Sequence, residues 1–211
     1  MIQQTVELLD PAVESENRYV IKVPRGDTIF EVAERSSEWQ RAILGSSRSF
    51  YLHVFDRSRR EVLQLRRRQA ACSCCLCHCC CAFVQQVQVY IPPYTLLGSV
   101  TQECSLFVPT FLAKNAADDI IYKIEGPSSC IGMNMESTFK ILTYDGTREV
   151  GSIMNQWNDL HLQHNLRVIF PFEENSDMRA VLLGAAFLLQ YMFFESSKKA
   201  SRLRLSRFNN S

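Results

Sequence analysis

The sequence predicts an all-β chain with one helix: a closed antiparallel β-barrel of about twelve strands around a buried, apolar C-terminal helix. Three observations predict it. Residues 18–170 break into about ten to twelve short strand-like runs, separated by turn residues at the spacing of a barrel or sandwich. Residues 180–194 read AVLLGAAFLLQYMFF, fifteen residues in which only Gln190 is polar. A helix without a polar stripe is buried all round. No helices alternate with the strands, so a parallel sheet with crossovers is not expected. A closed barrel has no unpaired edge, and the helix fills its interior.

Residues 1–17 are polar and without a clear period, and read as a lead-in. Residues 19–23 are β-branched and aromatic, and Pro24 to Asp27 punctuate them. Residues 28–33 return as the second arm of a hairpin. Residues 37–47 read as a polar loop or a short helix around Trp39 and Ile43. Residues 49–55 and 61–66 form the next pair, across a turn at 56–59. Residues 86–91 alternate polar and apolar with period two, and Pro92 and Pro93 stop them. Runs at 95–100, 105–112 and 120–125 follow. Residues 138–144 and 147–153 flank Asp145-Gly146, a pair that favours a two-residue hairpin turn. Residues 166–170 are the last strand, closed by Pro171.

The terminal helix is placed at 178–195, with Leu182, Leu183, Phe187, Leu188, Met192 and Phe193 among its buried side chains. Asp177 at its start and Lys198 and Lys199 past its end complement the helix dipole. Fifteen residues rise roughly 22 Å, whereas a bilayer core of about 30 Å asks for about 20 residues. Burial in protein is therefore expected, and a single membrane span is the alternative. The domain is read as 18–195 and the basic tail as 196–211.

At 211 residues the chain is long enough for one domain with a real core. A net charge of +1 gives no global attraction to nucleic acid, and no nucleic-acid partner is expected. The first nineteen residues carry acids and no apolar h-region, so no secretory leader is read there. Thiols in an intracellular chain stay reduced, and the nine cysteines need another purpose.

Cys72, Cys74, Cys75, Cys77, Cys79, Cys80 and Cys81 fall within ten residues, directly after Arg66, Arg67 and Arg68. A structural zinc site usually takes two cysteine pairs separated by a loop, and this single crowded run matches that poorly. S-acylation fits better, because acyl chains and adjacent basic residues together supply the two signals that stable anchoring needs. Zinc and a plain surface loop stay open as alternatives. Lys198, Lys199, Arg202, Arg204 and Arg207, interleaved with Leu203, Leu205 and Phe208, read either as a solvated end or as a contact with anionic headgroups. His53, His78, His161 and His164 form no catalytic set, although His161 and His164 have ligand spacing on a helix. No phosphate loop, nucleophile elbow or carboxylate pair points to an enzyme.

The cysteine cluster, the hairpin and the terminal helix together resemble the phospholipid scramblase family over residues 19–195. The residues that carry the likeness are the basic-then-cysteine run 66–81, Val168-Ile169-Phe170-Pro171, and Met178-Arg179-Ala180-Val181 through Phe193-Phe194-Glu195. The resemblance implies a tubby-like fold, a twelve-stranded barrel around a buried helix. It implies palmitoylation of the cysteine run and attachment to the cytoplasmic face of the plasma membrane. It also implies Ca2+-stimulated movement of phospholipids between leaflets, a transporter's role. Membrane phospholipids with anionic headgroups are the implied partners.

Three segments depart from the family pattern. Nothing proline-rich precedes residue 19, so proline-recognition partners are not expected. The family's calcium segment corresponds to residues 159–167, with Asp159 and Asn165 as the candidate ligands. Calcium takes six to eight oxygens, and one carboxylate, two histidines and an arginine supply few, so weak or absent binding is expected. The nuclear-import segment corresponds to residues 151–157, which hold no Lys or Arg. A scrambled headgroup needs a polar path across the bilayer. One short apolar helix offers none, so transport calls for a homo-oligomer or a distorted bilayer. A membrane-tethered lipid-binding or adaptor module is the alternative reading. Positive flanks stay cytoplasmic, as an acylated cysteine run does, so the tail is expected on the same side as the cysteines.

Overall fold

The structure, a computed structural model, describes residues 2–5, 16–24, 26–71, 83–103, 105, 108–127, 137–158, 163–172 and 174–195. The chain is a mostly antiparallel sheet with one long C-terminal helix. The strands are β1 (Ile2–Thr5), β2 (Arg18–Lys22), β3 (Thr28–Arg35), β4 (Phe50–Phe55), β5 (Glu61–Ala71), β6 (Phe83–Ile91), β7 (Thr95–Glu103), β8 (Thr110–Asn115), β9 (Ile120–Glu125), β10 (Thr138–Thr143), β11 (Glu149–Asn158) and β12 (Gln163–Ile169). A short helix, α1 (Glu38–Leu44), with a 3-10 turn at Gly45–Ser47, joins β3 to β4. The long helix α2 (Ser176–Leu189) continues through one π-helical turn, Gln190–Phe194.

Eleven strands, β2 to β12, pair each with its sequence neighbour. The ladder wraps so that β1 stands between β2 and β12. Four residue pairs join β1 to β2, but only Ile2↔Leu166 and Gln3↔Asn165 join it to β12. The alternation of side chains sends one face of each strand inward. Phe50, Leu52 and Val54 of β4, Leu65 of β5, and Val87 and Val89 of β6 are buried. Tyr51, Gln88 and Tyr90 take the other face.

Several expectations need correcting. Part of the lead-in is a strand, β1. Strand β5 extends to Ala71, and β8 starts at Thr110 rather than near 105. Asp145-Gly146 does not make a two-residue turn. Thr143 N–H donates to the Arg148 carbonyl, and Gly146 N–H donates to the Thr143 carbonyl, which leaves a four-residue loop, 144–147. Gly146 supplies the left-handed position at φ 74°, and the Asp145 carboxylate accepts from the Thr147 N–H and hydroxyl. That side-chain bonding satisfies a longer loop. His164 lies in β12 opposite Trp157, so helical ligand spacing does not apply to it.

Helix α2 lies inside the sheet. Asn175 caps it, its side-chain oxygen accepting from the Met178 N–H at 2.8 Å. Tyr122 of β9 donates a hydrogen bond to Glu174 just before the helix. Leu182, Leu183, Phe187 and Leu188 are buried, while Met192 and Phe193 are half-buried. Aromatic rings line its last turns. Tyr19 meets Phe187 edge-on at 5.2 Å, and Phe50 lies 4.0 Å from Tyr191. Phe193 packs between Phe111 and Phe139. The stretch Ser176–Phe194 is long and apolar enough to cross a membrane, yet 78% of its apolar window is buried by the sheet. The sheet takes the place that lipid would otherwise take.

Close approach of helix to sheet depends on Gly184. A Cβ there would sit 2.8 Å from Val89 Cγ2 and 3.7 Å from Val87 Cγ1. Gly184→Leu places a whole side chain into this contact. Overpacking on that scale is expected to lower the unfolding free energy by about 2 kcal/mol or more, measured as a reduced urea midpoint. An unchanged or raised midpoint would contradict the packing of α2 on β6.

Candidate functional site

The sheet has two ends, and the antiparallel order assigns every loop to one of them. The upper end holds the turns at 23–27, 56–60, 92–94, 116–119 and 144–148, and the start of α2. The lower end holds the β5–β6, β7–β8, β9–β10 and β11–β12 connections, α1, and the end of α2. Phe193 and Phe194 mark that end of α2, packed on Phe139 near the start of β10.

The described residues that flank the sequence-predicted membrane segments, Ala71, Phe83 and Glu195, fall on this lower end. The chain leaves at Ala71 of β5 and returns at Phe83 of β6, and these two residues face each other in the ladder. The acylation candidates Cys72, Cys74, Cys75, Cys77, Cys79, Cys80 and Cys81 lie between them, outside the described residues. The tail residues Lys198, Lys199, Arg202, Arg204 and Arg207, which follow Glu195 in the chain, also lie outside them. So does Asp159, which follows β11. Asn165 is in β12, where its backbone pairs with Gln3 and Gln156. The calcium segment is thus partly strand. Among the described residues, no group of three or more His, Cys, Asp or Glu could hold a metal ion.

The three arginines part company because β5 alternates. Arg66 and Arg68 face outward, and the Arg66 guanidinium lies 5.2 Å from the centre of the Tyr51 ring. Arg67 faces inward and is 2% exposed. Its Nε and Nη2 donate to the Gln85 side-chain oxygen at 3.0 and 2.8 Å, and its guanidinium lies over Phe50. Expected as a headgroup contact, Arg67 is instead an interior group, two residues on from Leu65 on the same face. Loss of hydration pushes its pKa down to about 10, against partial support from Tyr191 and Glu195.

A buried ionic clamp closes the lower end of the interior. Glu34 of β3 and Arg48, just before β4, form a two-pronged pair: Arg48 Nε to Glu34 Oε1 at 2.7 Å and Nη2 to Oε2 at 2.8 Å. The Tyr191 hydroxyl donates to Glu34 Oε2 at 2.7 Å. Arg48 Nη1 also donates to both oxygens of Glu195, at 3.0 and 3.2 Å. The Asn17 side chain reaches Glu195 Oε1 at 3.3 Å. Helix, sheet and lead-in are tied together at one point. Arg48 also supplies positive charge where a helix ends negative. Burial alone would raise the Glu34 pKa. The two hydrogen bonds and the charge of Arg48 outweigh that, and hold the carboxyl below its ordinary value of 4.5.

Sequence reasoning missed this clamp. Glu34 stands two residues after the buried Val32, and Arg67 two after the buried Leu65, so period-two parity places both inside. Nothing local marks Arg48 or Glu195 as partners.

The model of the family described as Scramblase matches residues 1–196. The human protein named phospholipid scramblase family member 5 is 33% identical, over 93% of this chain and 74% of its own length. Bovine phospholipid scramblase 2 is 32% identical, over 94% of this chain and 69% of its own. Human phospholipid scramblase 1 is 33% identical, over 93% and 63%. No solved structure matches the chain.

The clamp predicts an acid-sensitive fold. A carboxyl held below its ordinary value adds stability above pH 4.5 that is lost as pH falls through the lowered folded value. Glu34→Gln leaves Arg48 buried with half its partners, and is expected to cost about 3 kcal/mol at neutral pH. The variant should also lose part of the stability slope below pH 4.5 that the parent shows. Urea unfolding at several pH values checks both. Parallel curves for parent and variant would contradict the role of Glu34.

Proposed function

This chain belongs to the scramblase family, and on that premise we propose how its barrel serves a scramblase-like function at a membrane. The observation that carries the reading is the burial of α2. The helix is enclosed by the sheet and finishes at the end where the chain leaves at Ala71 and returns at Phe83. We therefore read this one end as the end that carries the anchors. Acyl chains on Cys72, Cys74, Cys75, Cys77, Cys79, Cys80 and Cys81 attach it to the cytoplasmic face of the plasma membrane. Arg66, Arg68 and the basic tail contact anionic headgroups. We read the ring of strands as closed, with β1 as its closing strand.

The same observation constrains transport. The interior is filled by α2 and its aromatic shell, so a headgroup does not travel through the barrel. Lipids cross beside the protein, where several copies together thin or disorder the bilayer. This is a transporter's role rather than covalent chemistry. A tethered lipid-binding or adaptor module without transport is the second reading, and the filled interior is what favours it. Calcium, where it acts, draws on more than Asp159 and Asn165.

Reconstitution into liposomes carrying a labelled phospholipid separates the two readings. Scrambling predicts that label in the inner leaflet becomes accessible to an outside reagent in protein-containing vesicles, and faster as copies per vesicle rise. Label loss no greater than in protein-free vesicles, with and without calcium, would leave the adaptor reading.

A further inference from the structure

Helix α1 is inside out. Its buried residue is charged: Arg41 is 7% exposed, donates to the Ser36 carbonyl and hydroxyl, and lies 3.6 Å from Glu16. Its large apolar side chains face solvent, with Trp39 60% and Ile43 75% exposed, and Leu44 40%. Residues two apart on a helix lie about 200° round the axis. Trp39 and Ile43, each two from Arg41, therefore form one face directly opposite the arginine. They are four apart and adjacent on the surface. Arg41 fixes the roll of the helix, so this face cannot turn inward without breaking the polar contacts.

The surroundings say what the face meets. Arg35, which ends β3 just before α1, pairs with Tyr51, and Tyr51 pairs with Arg66. All three point outward, as does Arg68. A basic and aromatic row thus crosses the ends of β3, β4 and β5, the ends that α1 joins or adjoins. The acids nearby are Glu38, exposed in the first turn to one side of the pair, and Glu16, held on the opposite side of the helix by Arg41. Trp rings with basic neighbours suit a membrane–water interface. A stable protein interface buries about 1,200 Å² or more. Two or three side chains on a seven-residue helix fall short of that, but they suffice as an insertion that supplements other anchors.

We propose that α1 is a membrane-inserting wedge: Trp39 and Ile43 enter the acyl boundary of an anionic lipid surface, while Arg35, Arg66 and Arg68 contact its headgroups. The inference rests on the membrane reading above, and adds to it the element that enters the lipid. It also orients the barrel, lower end toward the bilayer.

The test uses the full chain with a polyhistidine tag after Ser211, tethered to nickel-chelating vesicles of phosphatidylcholine and phosphatidylserine. Tethering places the protein on lipid whether or not it binds unaided. Tryptophan emission is read with brominated acyl chains in the vesicles, for the parent and for Trp39→Phe. A Trp157→Phe variant, checked by circular dichroism, isolates Trp39 independently. The expected result is lipid quenching and a blue shift that disappear in Trp39→Phe. In the untethered protein, W39S/I43S is expected to lower vesicle partitioning at least about tenfold. A tethered Trp39 that lipid does not quench, and that aqueous iodide does, overturns the wedge and leaves the face to a protein partner. That result would not touch the scrambling assay, whose own failure would bear on the function and not on Trp39.

Discussion

An apolar helix of this length has to leave water, and in this chain the sheet takes it. That burial sets the other constraints. The sheet must wrap, because a flat one would cover a single side of α2. The helix must be slim where strands approach most closely, and Gly184 meets Val87 and Val89 there. The two helix ends must be satisfied inside the wrapped sheet. Asn175 and Glu174 serve the start, and the Glu34–Arg48–Glu195 clamp serves the finish. A buried pair of this kind is weak as a source of net stability, yet removing one member leaves a charge stranded. Its value lies in position: it fixes at which end of the sheet α2 stops.

Much of this was legible in the residues. Period-two alternation located β6, turn residues bounded β2, β3 and β9, and the absence of a polar stripe announced a buried helix. Other features were hidden for definite reasons. Strand β1 reads IQQT, too short and polar to signal pairing, and only its neighbours β2 and β12 make it a strand. Asp145-Gly146 carries the chemistry of a tight turn, but Asp145 bonds to Thr147 and stabilises a longer loop. Arg67 looked like one of three equivalent surface cations until strand parity turned it inward. The clamp joins Arg48 to Glu195 across the whole domain, a pairing that no local pattern encodes.

Helix α1 shows the limit of periodicity most sharply. An amphipathic pattern ordinarily turns its apolar side chains inward. Here Trp39 and Ile43 look outward because Arg41 is held on the opposite face, by the Ser36 backbone and Glu16. Sequence alone gives the two faces but not which one the protein keeps. The consequence for function is an asymmetric molecule. Its upper end carries tight turns, with Tyr94, Tyr144 and Phe172 exposed among them. Its lower end gathers the helix terminus, the flanks of the cysteine run, the outward arginines of β3 and β5, and an exposed tryptophan on α1.

A helix α2 held by the sheet does not also cross a bilayer. The most direct test is the side of the membrane on which the chain ends. With an epitope tag placed after Ser211, the account predicts no antibody labelling of intact cells and clear labelling once they are permeabilised. Labelling of intact cells would mean that α2 spans the membrane, and the enclosed helix from which the rest of this account follows would be wrong.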